Sequence, residues 1–168
     1  DVDLRQAHLV NARDRWFGIA TEASRSASPY WEMVGRIGAA TADTQLGEFD
    51  MAEDGLLKAG RLADDQCDQL NGLTVSMHLA YLRALRGDPE HAQKELLAIV
   101  ERATALGAIL VVGPAVTVAG EVARSLGSHD AAEGLLERGE RVLRATEQRV
   151  TLAICLAERA LNALVRGD

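Results

Sequence analysis

Histidines and cysteines, the side chains that most often serve as nucleophiles, bases and zinc ligands, are few in this chain, and none is grouped. The four histidines, His8, His78, His91 and His129, stand singly, and the two cysteines, Cys67 and Cys155, are far apart. A zinc site needs such ligands in close pairs, as in H-E-x-x-H or C-x-x-C, and neither pattern occurs. Asp64-Asp65-Gln66-Cys67-Asp68 is the one acidic run that suggests a cation. It lacks the alternating oxygen ligands and closing glutamate of a calcium loop, so it reads as a solvated acidic link. There is no glycine-rich phosphate loop of the G-x-x-x-x-G-K-[ST] or G-x-G-x-x-G kind, and no G-x-S-x-G nucleophile turn. These residue types predict no catalytic group, no cofactor and no metal, and a chain that is not an enzyme.

Composition bounds what carries those residues. A chain of 168 residues can bury a sizeable core. It is 48% apolar but only 4% aromatic, with alanine and leucine dominant, which favours helices over sheets. Two lone thiols make no disulfide framework and fit a reducing cytoplasm. The most apolar stretch, 106–122, is interrupted by Gly107, Gly113, Pro114 and Gly120, so no membrane span is expected. No signal-peptide pattern opens the chain, and the start Asp1-Val2-Asp3, without methionine, reads as a piece of something longer. The net charge is −7. Within 41–70, eight acids (Asp43, Glu48, Asp50, Glu53, Asp54, Asp64, Asp65, Asp68) face only Lys58 and Arg61, a net −6. That segment repels phosphates, which argues against direct nucleic-acid binding; it reads as a solvated helix face or as a docking patch for a basic partner.

The organising feature is a repeat. Gly47, Gly87, Gly127 and Gly167 fall 40 residues apart. Five residues after the first three come Ala52, Ala92 and Ala132, and one period earlier Ala12. Four further on stand Trp16, Leu56, Leu96 and Leu136, and seven before each glycine come Ala40, Ala80, Gly120 and Ala160. Small residues at two registers let antiparallel helices approach closely, and the large residue one turn on fills the space beside that contact. The period predicts an array of helical hairpins.

Periodicity places the helices. A half hairpin covers 8–24, with Leu9, Ala12, Trp16 and Ile19 or Ala20 on one stripe, and a polar break follows over 24–29. Helices are expected at 31–46 and 48–64, a polar link at 65–72, then helices at 73–86 and 88–106. Gly87-Asp88-Pro89-Glu90 is the sharpest boundary: glycine ends one helix, aspartate caps the next, and proline suits its first position. The β-branched run 108–112 could pass for a buried strand, but the repeat requires a helix over 113–126 with Pro114 in its first turn. Gly127-Ser128-His129-Asp130 is the next turn, the helix after it extends to about 144, and a last helix at about 149–166 completes the count. The last carries Leu152, Ile154, Leu156, Leu161, Leu164 and Val165, more apolar surface than one side can bury. An uncapped solenoid end implies either further chain or pairing with another copy, a homodimer through the terminal helix. The whole is read as one domain: a half repeat at 1–24, repeats at about 30–65, 72–107 and 109–146, and a half repeat at 148–168.

The strings Leu46-Gly47-Glu48-Phe49-Asp50-Met51-Ala52, Arg86-Gly87-Asp88-Pro89-Glu90-His91-Ala92 and Leu126-Gly127-Ser128-His129-Asp130-Ala131-Ala132 resemble the turn and second-helix start of tetratricopeptide repeats. Phe49 keeps the family's aromatic two residues after glycine; Pro89 and His129 depart from it, the closing proline is missing, and the period of 40 exceeds the usual ~34. The longer repeats are similar to the helical arrays of large bacterial LuxR-type and maltose-regulator-like transcriptional regulators, which separate a nucleotide-binding domain from a DNA-binding domain. This resemblance implies an all-α, right-handed superhelix (an α-solenoid) of about eight helices, whose first helices line a concave groove. The groove would draw on Ile37, Thr41, Thr44 and Gln45, then Met77, Tyr81 and Ala84, then Thr117, Glu121 and Arg124. The lysines and asparagines with which some members clamp a terminal carboxylate are missing there. The implied function is a non-catalytic scaffold for a protein, a peptide or neighbouring domains of the same chain, without membrane contact; the alternative is a regulatory domain that senses a small effector or peptide in the groove.

Overall fold

The computed structural model describes residues 2–167; Asp1 and Asp168 lie outside the described residues. Among the described residues the chain is all-helical, with no strand: α1 (Val2–Arg25), α2 (Pro29–Leu46), α3 (Phe49–Asp65), α4 (Gln69–Leu85), α5 (Pro89–Ala105), α6 (Ile109–Ser125), α7 (His129–Ala145) and α8 (Arg149–Arg166). Consecutive helices pack against each other as a helical-repeat array.

The links repeat twice as often as the glycines suggest. A residue in the left-handed conformation recurs every twenty positions: Ala27, Gly47, Cys67, Gly87, Gly107, Gly127, Glu147 and Gly167. From α1 to α8, the residue after each left-handed one donates its N–H to a carbonyl five residues back, as in Glu48 to Asp43 (2.9 Å), Asp68 to Ala63 (2.8 Å) and Gln148 to Leu143 (3.1 Å). This closure satisfies carbonyls that the helix end would otherwise leave without donors. It also lets the chain reverse in two or three residues. The links are therefore 26–28, 47–48, 66–68 and onward, shorter than the breaks expected at 24–29 and 65–72. α4 starts at Gln69 because the Asp68 carboxylate accepts the Asn71 N–H at 3.0 Å, an N-cap that the acidic run concealed. Asp88 caps α5 in the same way through His91, with Pro89 at the first position, as its sequence predicts.

The 108–112 run is helical, as the repeat requires, but α6 begins at Ile109 rather than near 113. Pro114 is thus inside the helix, one turn beyond its expected place. A proline there removes one intrahelical donor, to the carbonyl four residues back. α1 likewise starts earlier than position 8.

The chain divides into two compact units, Asp1–Leu82 and Arg83–Asp168, with the division inside α4. In the first, Met33 and Ala40 of α2 meet Ala52, Leu56, Ala59 and Ala63 of α3, and Val75 and Leu82 of α4 close the cluster. Two approaches are close enough to demand glycine. A Cβ on Gly35 would lie 2.6 Å from the backbone nitrogen of Ala20, and one on Gly38 would lie 2.4 Å from the Trp16 ring. In the second unit, α6 is buried on most of its circumference, and Leu136 and Leu143 of α7 fill the spaces left by Gly120 and Gly113. The repeated small and large registers thus do what their spacing predicts: Ala52, Ala92, Ala132, Leu56, Leu96 and Leu136 are all buried.

Candidate functional site

The expected groove residues are only partly presented to solvent. In the first unit Gln45 is exposed, whereas Thr41 and Thr44 are half-buried, their hydroxyls donating to the carbonyls of Ile37 and Ala40 at 2.8 Å each. Ile37 packs against the core cluster. Tyr81 is half-buried, and Met77 is only 5% exposed. In the second unit Thr117 is 2% exposed and gives its hydroxyl proton to the Gly113 carbonyl at 2.9 Å; it faces α7, where a Cβ on Gly139 would lie 3.1 Å from its oxygen. Ala84 and Glu121 are half-buried, and Arg124 is held by Glu158 of α8 at 2.8 Å. Met77 and Thr117 therefore belong to the packing between helices, not to a ligand surface. The reason is geometric: a first helix such as α6 lies between second helices on two sides, so most of its apolar stripe is consumed by its neighbours.

No cluster of three or more histidine, cysteine or acidic side chains suited to a metal occurs among the described residues. Cys155 is buried, its thiol donating to the Leu136 carbonyl at 3.2 Å, and burial pushes its pKa up; a thiolate nucleophile is not favoured there. Burial also pushes the His78 imidazole down to about 4, so it is neutral at physiological pH. The densest polar network joins α7 to α8. The Arg159 guanidinium pairs with both Glu133 and Glu140, and Arg144 also binds Glu140, holding that carboxyl below its ordinary range. Asn162, fully buried, donates to the His129 carbonyl and accepts from His129 Nδ1, each at 3.0 Å. Every member has a protein partner, which is the signature of a structural network rather than of one awaiting a substrate.

What is presented lies at the helix starts. Each first helix opens with an exposed apolar residue at one register: Tyr30 (53% exposed) and Leu70 in the first unit, Leu110 (62%) and Val150 (79%) in the second. Trp31, beside Tyr30, is also exposed, and the two rings sit edge to face with centroids 5.4 Å apart. The forty-residue spacing of Tyr30, Leu70, Leu110 and Val150 was available in the sequence; it escapes a search keyed to buried stripes. Concavities among the described residues include one on α1 lined by His8, Asn11, Ala12, Arg15, Trp16 and Ile19 with a volume of about 400 Å³, and one of about 420 Å³ lined by Glu133 of α7 and Arg159, Ala160, Ala163 and Arg166 of α8.

No protein-family model matches the chain, and no curated protein matches it. No helix among the described residues is long and apolar enough to cross a membrane.

Proposed function

We propose that the chain is a non-catalytic interaction module that binds a protein or peptide through the first turns of its first helices. The observation that carries this is the recurrence of solvent-facing apolar side chains at one register, Tyr30 with Trp31 and Leu70 in one unit, Leu110 and Val150 in the other. Isolated exposed apolar residues are ordinary, but each unit by itself exposes the same register on two first helices, and a partner can bury those side chains. Exposed Trp and Tyr supply large, stiff contact area of the kind that dominates protein interfaces. The fully partnered network of α7 and α8 and the protonated, buried Cys155 thiol support a scaffold over a catalyst.

Thermal unfolding against a library of apolar peptides tests the reading. A peptide at a hundredfold its dissociation constant adds about 2.7 kcal/mol of stability. That gain is expected to vanish in Trp31→Asp or Leu110→Asp, whose exposed positions leave the fold intact. The reading fails if no peptide stabilises the chain, or if both variants respond as the parent does. From the likeness of the longer repeats to the helical arrays of bacterial LuxR-type and maltose-regulator-like regulators, we place the module in a transcriptional regulator, between a nucleotide-binding and a DNA-binding domain. A parent gene encoding neither domain would remove that placement.

A further inference from the structure

Charge separates the exposed helix starts of the first unit from those of the second. A Cβ on Gly55 of α3 would lie 3.6 Å from the Ala40 Cβ of α2, and one on Gly72 of α4 would lie 4.0 Å from the Ala63 Cβ of α3. In antiparallel helices the numbering on one side falls as it rises on the other. Those contacts therefore set Asp65 level with both Tyr30 and Leu70, and Asp64 level with Trp31. One edge of the unit thus carries an aromatic pair, two carboxylates and a leucine in succession across three helices, all five exposed. The carboxylates are badly placed for the fold. They stand in the last turn of α3, where the carbonyl end of the helix dipole repels negative charge. No hydrogen bond or ion pair holds either of them; Arg61, one turn back, bridges neither. Other cations of the unit are engaged elsewhere: Lys58 with Asp54 at 2.6 Å, Arg36 with Glu32, and Arg25 with Glu22 at 3.7 Å. At the two positions of Asp64 and Asp65 the other second helices carry Ser24 and Arg25, Thr104 and Ala105, and Arg144 and Ala145. Each of those helices has a base in its last turn, which α3 lacks. Leu110 and Val150 of the second unit therefore have no acid at the matching positions.

Resting on the reading of the helix starts as a binding surface, we propose that this edge of the first unit selects a basic segment of a partner protein, one in which arginines are set between large apolar side chains. The apolar side chains cover Leu70 and the Tyr30–Trp31 pair, and the arginines lie between them against Asp64 and Asp65. A guanidinium suits both neighbours, since it pairs with carboxylates and packs flat on an aromatic ring. An acidic segment would meet two unpaired like charges, so the same carboxylates that attract the basic segment reject the acidic one. The bound cations also relieve the unfavourable charge at the end of α3.

Three synthetic peptides test the selection. They share one pattern of leucines, contain no tryptophan, and carry arginine, glutamine or glutamate at the positions between. Each is titrated into the full chain and followed by tryptophan emission, which reports the first unit because Trp16 and Trp31 both lie there. The arginine peptide is expected to bind about fivefold tighter than the glutamine peptide, the gain of two exposed ion pairs, and the glutamate peptide most weakly. Raising the salt concentration should shrink the difference. In the chain carrying Asp64→Asn with Asp65→Asn, all three peptides should bind with the affinity that the parent has for the glutamine peptide. That variant should melt at or slightly above the parent's midpoint, because the charges opposing the helix dipole are gone. Equal binding of the arginine and glutamine peptides by the parent overturns the proposal while leaving the apolar surface standing, as does a double variant that keeps the arginine preference. A lowered melting midpoint overturns it too, since the carboxylates would then serve the fold. Failure of all three peptides to bind the parent removes the helix-start reading and this proposal together.

Discussion

Replacing glycine by alanine inside a helix raises helix propensity by about 1 kcal/mol, so the sign of the measured effect reports what the added methyl meets. Gly18 of α1 and Gly35 of α2 form a matched pair in the first unit. At Gly18 a Cβ finds no atom within 4 Å, so Gly18→Ala is expected to stabilise by roughly 0.5–1 kcal/mol. At Gly35 a Cβ would lie 2.6 Å from the Ala20 nitrogen and 2.9 Å from its Cα and Cβ, about 1 Å inside ordinary contact. The nitrogen and Cα are backbone atoms and an alanine Cβ has no rotamer to change, so nothing local relieves the clash and α1 must move away from α2. Overpacking of this kind costs about 1–3 kcal/mol, and with rigid backbone the upper end applies. Subtracting the propensity gain leaves Gly35→Ala destabilised by about 2 kcal/mol. Both tryptophans, Trp16 and Trp31, lie in this unit, so fluorescence during urea unfolding reads it selectively. With a slope of about 2 kcal/mol per molar urea, the midpoint should fall by about 1 M for Gly35→Ala and rise slightly for Gly18→Ala. Equal responses from the two variants would refute the close approach of α1 and α2 on which the first unit is built.

Other perturbations follow from the same geometry. Asp43 is buried with Arg13 at 4.0 Å, and its Oδ1 has no hydrogen-bond partner; burial raises its pKa above that of the unfolded chain, so the charged form costs stability at neutral pH. Asp43→Asn is expected to raise stability at pH 7 by at most about 1 kcal/mol, with the gain shrinking as pH falls through the raised folded pKa towards the unfolded value. His78 is neutral in the fold down to about pH 4, whereas the unfolded chain takes up the proton near 6.5. Stability is therefore fully present above pH 6.5 and declines as pH falls to about 4, by no more than roughly 3 kcal/mol; His78→Gln should flatten that part of the pH profile in thermal melts. Glu147 carries φ 56° without being glycine, so Glu147→Gly should raise the melting midpoint, whereas Gly107→Ala at φ 66° should cost about 1 kcal/mol although its Cβ meets nothing.

The legible part of the fold is the part where one residue type has a physical monopoly. Gly47, Gly87 and Gly127 announce helix ends because the left-handed conformation favours glycine, and the alanine and leucine registers that follow announce close helix packing. Ala27, Cys67 and Glu147 occupy the same conformation at half that interval. Their penalty of order 1 kcal/mol is small beside the hydrogen bonds that close each helix end, so no residue type betrays them and the polar links read longer than they are. The surface was harder to read than the fold. Met77 and Thr117 look like groove residues on a helical wheel, but the wheel does not show that α6 packs on neighbours along two sides. Tyr30, Leu70, Leu110 and Val150 keep the forty-residue period yet face solvent, which a search for buried stripes passes over. Similarly, Ala160 matches Ala40, Ala80 and Gly120 in type, and only coordinates distinguish a covered register from a bare one.

Three-bond amide couplings and backbone chemical shifts, measured residue by residue in solution, test the twenty-residue cadence of left-handed helix ends most directly. Positive φ is expected at Ala27, Cys67 and Glu147 as well as at Gly47, Gly87, Gly107, Gly127 and Gly167, with right-handed helical values across the spans between them. Right-handed values at Ala27, Cys67 and Glu147, with helix running unbroken through those positions, would contradict the hairpin array.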